Sequence, residues 1–228
     1  MISVQNVMKV FNGGRPNELC ALREVSLEMG LDQATALVGP SGSGKTTLLS
    51  LIGCMARPTS GRIFVKGEEI TSLPERFLTR IRRSTFGFVF QRHNLINGIS
   101  VLENVMAPAY PEGAPFCLLR QRALDILERL DLKRRAEAKV EWLSGGEAQR
   151  VAIARAMINS PAVIIADEPT AHLDTKLSCD FMALMKEVKE AGTAVIVASH
   201  DPVVYGCDFI DRVVEMRDGR IVTGSTGT

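Results

Sequence analysis

The stretch that decides the fold of this 228-residue chain is Gly39-Pro40-Ser41-Gly42-Ser43-Gly44-Lys45-Thr46-Thr47. It follows a strand-like apolar run at residues 34–38 and precedes a helical pattern at residues 48–54, the context in which G-x-x-x-x-G-K-[ST] forms a phosphate-binding loop. Glycines let backbone N–H groups surround phosphate oxygens, while the helix N-terminus and Lys45 add positive charge. Thr46 places a hydroxyl where a magnesium ion bound to the phosphates can use it. The alternative, a chance glycine-rich turn, is rare at ordinary residue usage.

Three further apolar runs, at residues 86–90, 163–166 and 194–198, lack polar alternation. Together with residues 34–38 they are typical of strands buried on both faces of a sheet. Helical patterns between them indicate right-handed crossovers, and therefore a mostly parallel sheet. We predict an α/β fold.

Each of these runs ends in polar residues, namely Gln91, Asp167-Glu168 and Ser199-His200. The carboxyl ends of neighbouring parallel strands meet at one edge of a sheet, where such folds bind ligands. Beside a phosphate loop, we expect Asp167 to hold magnesium and Glu168 to polarise the attacking water. Gln91 and His200 would converge on the γ-phosphate. The alternatives stay open: the two carboxylates as caps of the next helix, and the other two residues as plain hydrogen-bonding groups.

The remaining patterns add smaller units to the sheet. Runs at residues 2–10 and 20–29 predict an antiparallel pair. Residues 116–130 carry apolar side chains at helical spacing, which places a helical subdomain at approximately residues 91–158. Asp218-Gly219 predicts a hairpin turn near the end of the sequence. We predict a single domain over residues 1–228.

A loop broken by Pro108, Pro111, Gly113 and Pro115 precedes the predicted helix at 116–130. Such a loop is either a plain connection or a contact surface.

Charge and cysteine content exclude several classes of function. The 27 Lys and Arg residues balance 26 Asp and Glu residues, which argues against a nucleic-acid coat or a polybasic membrane anchor. We therefore expect no nucleic-acid partner, and expect the basic stretches 80–83 and 133–135 to be solvated faces. Five scattered cysteines without a C-x-x-C pair fit neither a disulfide framework nor a zinc site. Residues 1–5 lack the features of a secretory signal, which predicts a cytoplasmic location.

The most specific stretch is Leu143-Ser144-Gly145-Gly146-Glu147-Ala148-Gln149-Arg150. Ser144 has the chemistry of an N-cap, and Gly145 and Gly146 expose N–H groups at the start of a helix continuing through residues 151–157, so the stretch predicts a second anion site. It resembles the signature motif of ATP-binding-cassette (ABC) ATPases.

The resemblance extends over nearly the whole chain. Gln91 matches the family's Q-loop, Asp167-Glu168-Pro169-Thr170 its Walker B region, Leu173-Asp174 its D-loop and His200 its switch histidine. Phe11 lies where the family stacks an aromatic ring, more often tyrosine, on adenine.

The resemblance implies a P-loop NTPase fold of ABC type, with a RecA-like core, an antiparallel β subdomain and an inserted helical subdomain. It implies that ATP is hydrolysed to ADP and phosphate with Mg²⁺. Lys45, Gln91, Glu168 and His200 would be catalytic, and Thr46, Gln91 and Asp167 would serve the metal.

Two such cassettes meet head to tail in this family. Ser144, Gly145 and Gly146 of one copy would contact the ATP held by the other, and Asp174 would couple the two halves. His172 is either a D-loop surface residue at the seam or an additional catalytic histidine; we favour the former because His200 already fills the switch position.

Ala166-Asp167-Glu168-Pro169-Thr170 and Leu102-Glu103-Asn104-Val105 look most like bacterial ATPases of the lipoprotein-release, macrolide-export and cell-division type. This implies an ATP-binding subunit of a membrane transport system, for export or lipid-side extraction. Its partners would be an integral membrane permease and a second copy of itself or a homologous ATPase, at the cytoplasmic face of the inner membrane. The loop 92–115 lies where the family's transport ATPases grip their permease. A soluble ABC ATPase that drives a conformational change without transport is the alternative.

Overall fold

The computed structural model describes residues 1–171 and 173–222. Its strands are β1 Ile2–Phe11, β2 Leu19–Met29, β3 Ala34–Val38, β4 Ser60–Val65, β5 Glu68–Glu69, β6 Phe86–Phe90, β7 Val163–Asp167, β8 Ala194–Ser199, β9 Arg212–Arg217 and β10 Arg220–Ile221. Its α-helices are α1 Lys45–Ile52, α2 Glu75–Thr85, α3 Val101–Met106, α4 Phe116–Arg129, α5 Gly145–Met157, α6 Thr175–Glu190 and α7 Pro202–Tyr205. Short 3-10 helices occur at Ala107–Glu112, Lys133–Arg135 and Val140–Trp142.

The main sheet has the strand order β10-β9-β3-β8-β7-β6. Strands β9, β3, β8, β7 and β6 pair in parallel, and β10 closes one edge as the antiparallel partner of β9. A second sheet, in the order β2-β1-β4-β5, is antiparallel. The predicted fold class is therefore confirmed. Strand β4 escapes sequence-based prediction because polar residues and a glycine interrupt its apolar run, and β5 because it has only two residues. The two strands flank the turn at Lys66-Gly67, where both residues have positive φ.

The register brings four strand ends to one level. Val38 of β3 pairs with Ser199 of β8, Ala198 of β8 with Asp167 of β7, and Asp167 with Phe90 of β6. The polar residues that follow these strands therefore emerge at the same edge of the sheet, as the sequence predicts.

Burial on both faces explains why these strands show no alternation. On β7, Ile164 and Ala166 pack into a cluster with the helical segment, whereas Val163 and Ile165 pack into a cluster with the antiparallel sheet and α1. The main sheet is thus the middle layer between two apolar cores.

Two local expectations are wrong. The first helix ends at Ile52 and not at residue 54, because Gly53 caps it and Cys54 takes φ 59°. The proline-containing stretch is not all loop, since Ala107–Glu112 forms a 3-10 helix that ends at Gly113 with φ 70°. Pro108 fits at the start of this helix because an N–H in the first turn needs no partner, whereas Pro111 lies inside the helix.

Candidate functional site

The loop between β3 and α1 has a backbone that its glycines make possible. Gly39, Gly42 and Gly44 have φ of 145°, 81° and 101°. A Cβ at Gly39 would clash with the carbonyl oxygen of Met216, and one at Gly44 would lie 2.7 Å from that of Ala21. Helix α1 begins at Lys45, and its N-cap residue Gly44 provides no side-chain cap, so its first N–H groups face the loop and suit an anion.

Lys45 lies folded over this loop, with its side chain only 5% exposed. Its Nζ donates to the carbonyl oxygens of Gly39 at 2.7 Å and Pro40 at 3.2 Å, and lies 3.3 Å from Oε1 of Glu168. A buried ammonium group in this position is held by three oxygens that an anion in the loop would have to replace.

Glu168 links this lysine to His200. Its carboxylate is 16% exposed, and its Oε2 lies 3.0 Å from Nδ1 of His200, whose side chain is 64% exposed. Glu168 takes φ 46°, an uncommon conformation for a residue other than glycine, and its N–H donates to Ala198 O at 2.9 Å. The strand end thereby fixes the carboxylate between a lysine and a histidine.

Thr46 and Asp167 form a second polar pair beside the loop. The hydroxyl of Thr46 donates to Oδ1 of Asp167 at 3.0 Å. Burial raises the pKa of Asp167, while the hydrogen bond from Thr46 works in the opposite direction. A hydroxyl and a carboxylate at this separation supply the oxygen ligands that Mg²⁺ prefers next to phosphates. The buried hydroxyl of Ser43 has no hydrogen-bond partner among the described residues, so the loop retains a polar group for a ligand.

A cleft of about 510 Å³ joins these groups to the antiparallel sheet. Of the predicted residues it brings together Phe11, Ser41, Gly42, Ser43, Gly44, Lys45, Thr46, Thr47, Gln91, Glu168 and His200. Phe11 is 39% exposed, and Nζ of Lys9 lies 5.0 Å from its ring centroid.

The predicted second anion site lies apart from this cleft. Ser144 caps α5 by accepting from Glu147 N at 3.3 Å, and Glu147 Oε2 accepts from Ser144 N at 2.9 Å. A Cβ on Gly145 would meet nothing within 4 Å among the described residues, so the helix start is open. Neither Ser144 to Gly146 nor Asp174 lines the cleft in the part of the chain that the structure describes.

Asp174 acts in this structure as the N-cap of α6, since its Oδ1 accepts from Leu177 N at 2.9 Å. His172 falls outside the described residues.

Some residues that line the cleft have no feature in the sequence that marks them as binding residues. Leu19, Cys20, Ala21 and Arg23 on β2 line it, as do Asp218 and Gly219. Asp218-Gly219 is predicted only as a hairpin turn, and its proximity to the phosphate loop depends on the pairing of β9 with β3.

Comparison with known proteins gives a consistent picture. A family model described as "ABC transporter" matches residues 22–171. The chain is 39% identical over 222 residues to the macrolide export ATP-binding/permease protein MacB of Vibrio parahaemolyticus, covering 97% of this chain and 34% of that protein. It therefore spans about a third of the length of the MacB relatives. It is 40% identical over 222 residues to the lipoprotein-releasing system ATP-binding protein LolD of Paramagnetospirillum magneticum, covering 97% of each chain.

Solved structures agree with these relatives. The ATP-binding cassette MJ0796, in a dimeric post-hydrolysis state bound to ADP and Pi, superposes with a TM-score of 0.88 at 38% identity, covering 98% of this chain and 97% of that chain. A second dimeric structure of MJ0796, described as a bacterial ABC transporter cassette, gives the same TM-score at 39% identity and the same coverage.

Proposed function

The chain belongs to the ABC transporter family of ATP-binding domains, and on this premise we propose that it is the Mg²⁺-dependent ATPase of a membrane transport system. The observation that carries the proposal is the contact of Glu168 with both Lys45 and His200 at the mouth of a phosphate loop. A carboxylate placed between a phosphate-binding lysine and a histidine suits activation of water against a γ-phosphate.

The proposed binding mode follows the cleft from end to end. Adenine stacks on Phe11, and the phosphates enter the loop 39–44, where Lys45 exchanges its carbonyl partners for β- and γ-phosphate oxygens. Thr46 and Asp167 would hold the metal ion, together with Gln91, which lines the same cleft as Thr46. A bound Mg²⁺ supplies neutralisation of phosphate charge.

Glu168 and His200 divide the chemistry of hydrolysis. When Lys45 binds the phosphates, it no longer contacts Oε1 of Glu168. This oxygen can then accept a proton from a water molecule while the water oxygen attacks the γ-phosphorus. The bond from the γ-phosphorus to the β–γ bridging oxygen breaks, giving ADP and phosphate. His200, bonded to the other carboxylate oxygen, orients the base and donates to the γ-phosphate.

Two copies are needed to complete the site. The open helix start at Ser144, Gly145 and Gly146 exposes N–H donors but does not line the cleft of its own chain in the described residues. We place it against the γ-phosphate in the cleft of the second copy, with Asp174 at the seam.

The partner that we propose is an integral membrane permease, docked on residues 92–115 at the cytoplasmic face of the inner membrane. The names of the relatives support export or extraction, since MacB is named for macrolide export and LolD for lipoprotein release. In the described residues no helix is long and apolar enough to cross a bilayer.

Affinity purification tests this proposal. Tagged Glu168→Gln protein is expressed in its native cell, membranes are extracted in mild detergent with ATP, and the bound proteins are identified by mass spectrometry. We expect a polytopic membrane protein, and expect it to be depleted when the tagged protein carries Lys45→Ala. Recovery of ribosomes or DNA-repair factors, or of no membrane protein, would contradict the transport role and favour the soluble alternative.

A further inference from the structure

Arg155, in the last turn of α5, holds the backbone of the loop that carries Gln91. Its Nη2 donates to the carbonyl oxygen of His93 and its Nη1 to that of Asn94, both at 2.6 Å. The planar guanidinium can make two such bonds in one orientation, which a lysine ammonium cannot reproduce. Arg155 therefore fixes two consecutive peptide units, two and three residues beyond Gln91.

The same loop is fixed at its other end by α3. Asn104, which is fully buried, accepts from Ile96 N at 2.7 Å and donates to Ile96 O at 3.0 Å. At the first of these anchors Asn94 takes φ 49°, a conformation that an asparagine adopts more easily than most residues. The segment behind Gln91 is thus short, anchored at both ends and sensitive to where Arg155 lies.

Helix α5 connects this anchor to the second anion site. Its N-terminus is the open Ser144-Gly145-Gly146 stretch, and Arg155 lies ten residues beyond Gly145, about 15 Å along the axis. Gly146 is closely packed, because a Cβ there would lie 3.0 Å from Leu177. One helix therefore connects the N-terminus that we propose binds phosphate with the arginine that holds the Gln91 loop.

We propose that Arg155 is a positioning residue that couples the two ends: engagement of the α5 N-terminus by the second copy's nucleotide sets the position of Gln91 through the Arg155 contacts. This inference rests on the proposed ATPase function. Arg155 touches neither nucleotide nor water in this scheme, and acts only through the backbone of His93 and Asn94.

The substitution Arg155→Lys tests the proposal in the purified full chain. It keeps the positive charge and loses the two-pronged contact. We expect kcat for ATP hydrolysis to fall roughly ten- to a hundredfold, the range that a small misplacement of a catalytic group causes. KM and the Kd for ADP should stay within about twofold, since the cleft itself is untouched.

Arg122→Lys is the matched control. Arg122 on α4 also donates to a backbone carbonyl at this end of α5, that of Ile158 at 3.4 Å. This hydrogen bond does not involve the loop that carries Gln91. We expect Arg122→Lys to leave kcat unchanged, and melting temperatures of both variants show how far each substitution destabilises the fold. Equal losses of kcat in both variants would show a merely structural role and overturn the proposal.

A double substitution tests whether the effect passes through Gln91. In a Gln91→Ala background, Arg155→Lys should reduce kcat little further, because the group it positions is gone. Fully additive losses would contradict the inference.

A pair of loop variants covers the possibility that Arg155→Lys fails to fold. Asn94→Val disfavours φ 49°, whereas Asn94→Gly accepts it, and neither changes α5. Asn94→Val should lower kcat and Asn94→Gly should not; equal kcat for the two would overturn the inference. A wild-type chain that binds ATP without hydrolysing it would instead refute the proposed function, and this inference with it.

Discussion

Lys45 would have to give up its present contacts in order to bind phosphate. In the structure its ammonium is satisfied by two loop carbonyls and by Glu168, all within 3.3 Å. Phosphate oxygens compete for the same donors, and a doubly charged acceptor forms stronger bonds than a carbonyl group. In the proposed binding mode, nucleotide binding would therefore release the Glu168 carboxylate from Lys45.

Replacement of this lysine should weaken nucleotide binding. Lys45→Ala removes charge-assisted bonds of about 1.5–3 kcal/mol each, so the Kd for ATP should rise at least roughly tenfold. Isothermal titration with ATP under non-hydrolysing conditions measures this. Unchanged affinity in a folded variant would refute the assigned phosphate site.

Glu168→Gln should separate binding from turnover. The amide keeps the shape of the side chain but cannot accept a proton, so hydrolysis should fall by about 10²–10⁴-fold. ADP affinity should hold or improve, because Lys45 loses its charged partner. Phosphate release and ADP titration give the two quantities. Substantial turnover in this variant would remove Glu168 as the base.

Asp167 gives the site a predicted pH dependence. Burial raises its pKa above the usual 3.8, so on acidification the carboxylate form is lost at a higher pH than for an exposed aspartate. Since Mg²⁺ needs that form, Mg²⁺-dependent ADP affinity should decline as the pH falls towards the raised pKa. ADP titrations of the wild type and of Asp167→Asn across this pH range distinguish the pH dependence due to Asp167 from that due to ADP itself. Parallel pH profiles would exclude Asp167 as the metal ligand.

At the scale of elements, two helices begin with the same capping box. Ser100 and Glu103 exchange bonds at the start of α3, as Ser144 and Glu147 do at the start of α5. The first closes an ordinary helix end, whereas the second precedes two glycines. Comparing the two capping boxes therefore distinguishes the stability that a cap contributes from any role of the α5 cap in binding phosphate.

Ser100→Ala and Ser144→Ala should cost similar stability, about 1 kcal/mol each, or roughly 2–4 °C in melting temperature for a chain of this size. Only Ser144→Ala should weaken ATP-dependent dimerisation when both are made in the Glu168→Gln background. Thermal melts and light scattering check the two effects. If Ser100→Ala disrupts the dimer equally, Ser144 has no specific role there.

Sequence patterns predict the elements whose residue pattern and ends depend only on neighbouring residues in the sequence. Strands β3, β6, β7 and β8 are predicted because burial on both faces produces unbroken apolar runs, and their polar ends mark one sheet edge. The 3-10 helix Ala107–Glu112 is missed because prolines ordinarily signal a loop. The Arg155 contacts are also missed, since they reach backbone carbonyls 61 and 62 residues away and require no particular side chain there.

At the scale of the whole molecule, the cleft and the α5 N-terminus, which we propose contact the same nucleotide, lie apart in one chain. Lys45, Glu168 and His200 line the cleft, and the α5 N-terminus lies outside it. A two-fold axis that places each cleft against the other copy's helix start satisfies both surfaces at once. Such an arrangement is isologous and creates two equivalent sites.

The symmetry predicts both the mass and the stoichiometry of the ATP-bound state. Glu168→Gln with ATP should elute as a particle of about 50 kDa, twice the 24.9 kDa of one chain, because each copy supplies a cleft and a helix start. ADP should leave the protein monomeric, since without a γ-phosphate the α5 N-terminus of the second copy has no anion to bind. The Lys45→Ala/Glu168→Gln double variant should also stay monomeric with ATP. Size exclusion with light scattering gives the mass, and nucleotide extraction from the dimer peak should yield one ATP per chain. A monomer that binds ATP normally, or a dimer with one ATP for two chains, would contradict the symmetric sandwich.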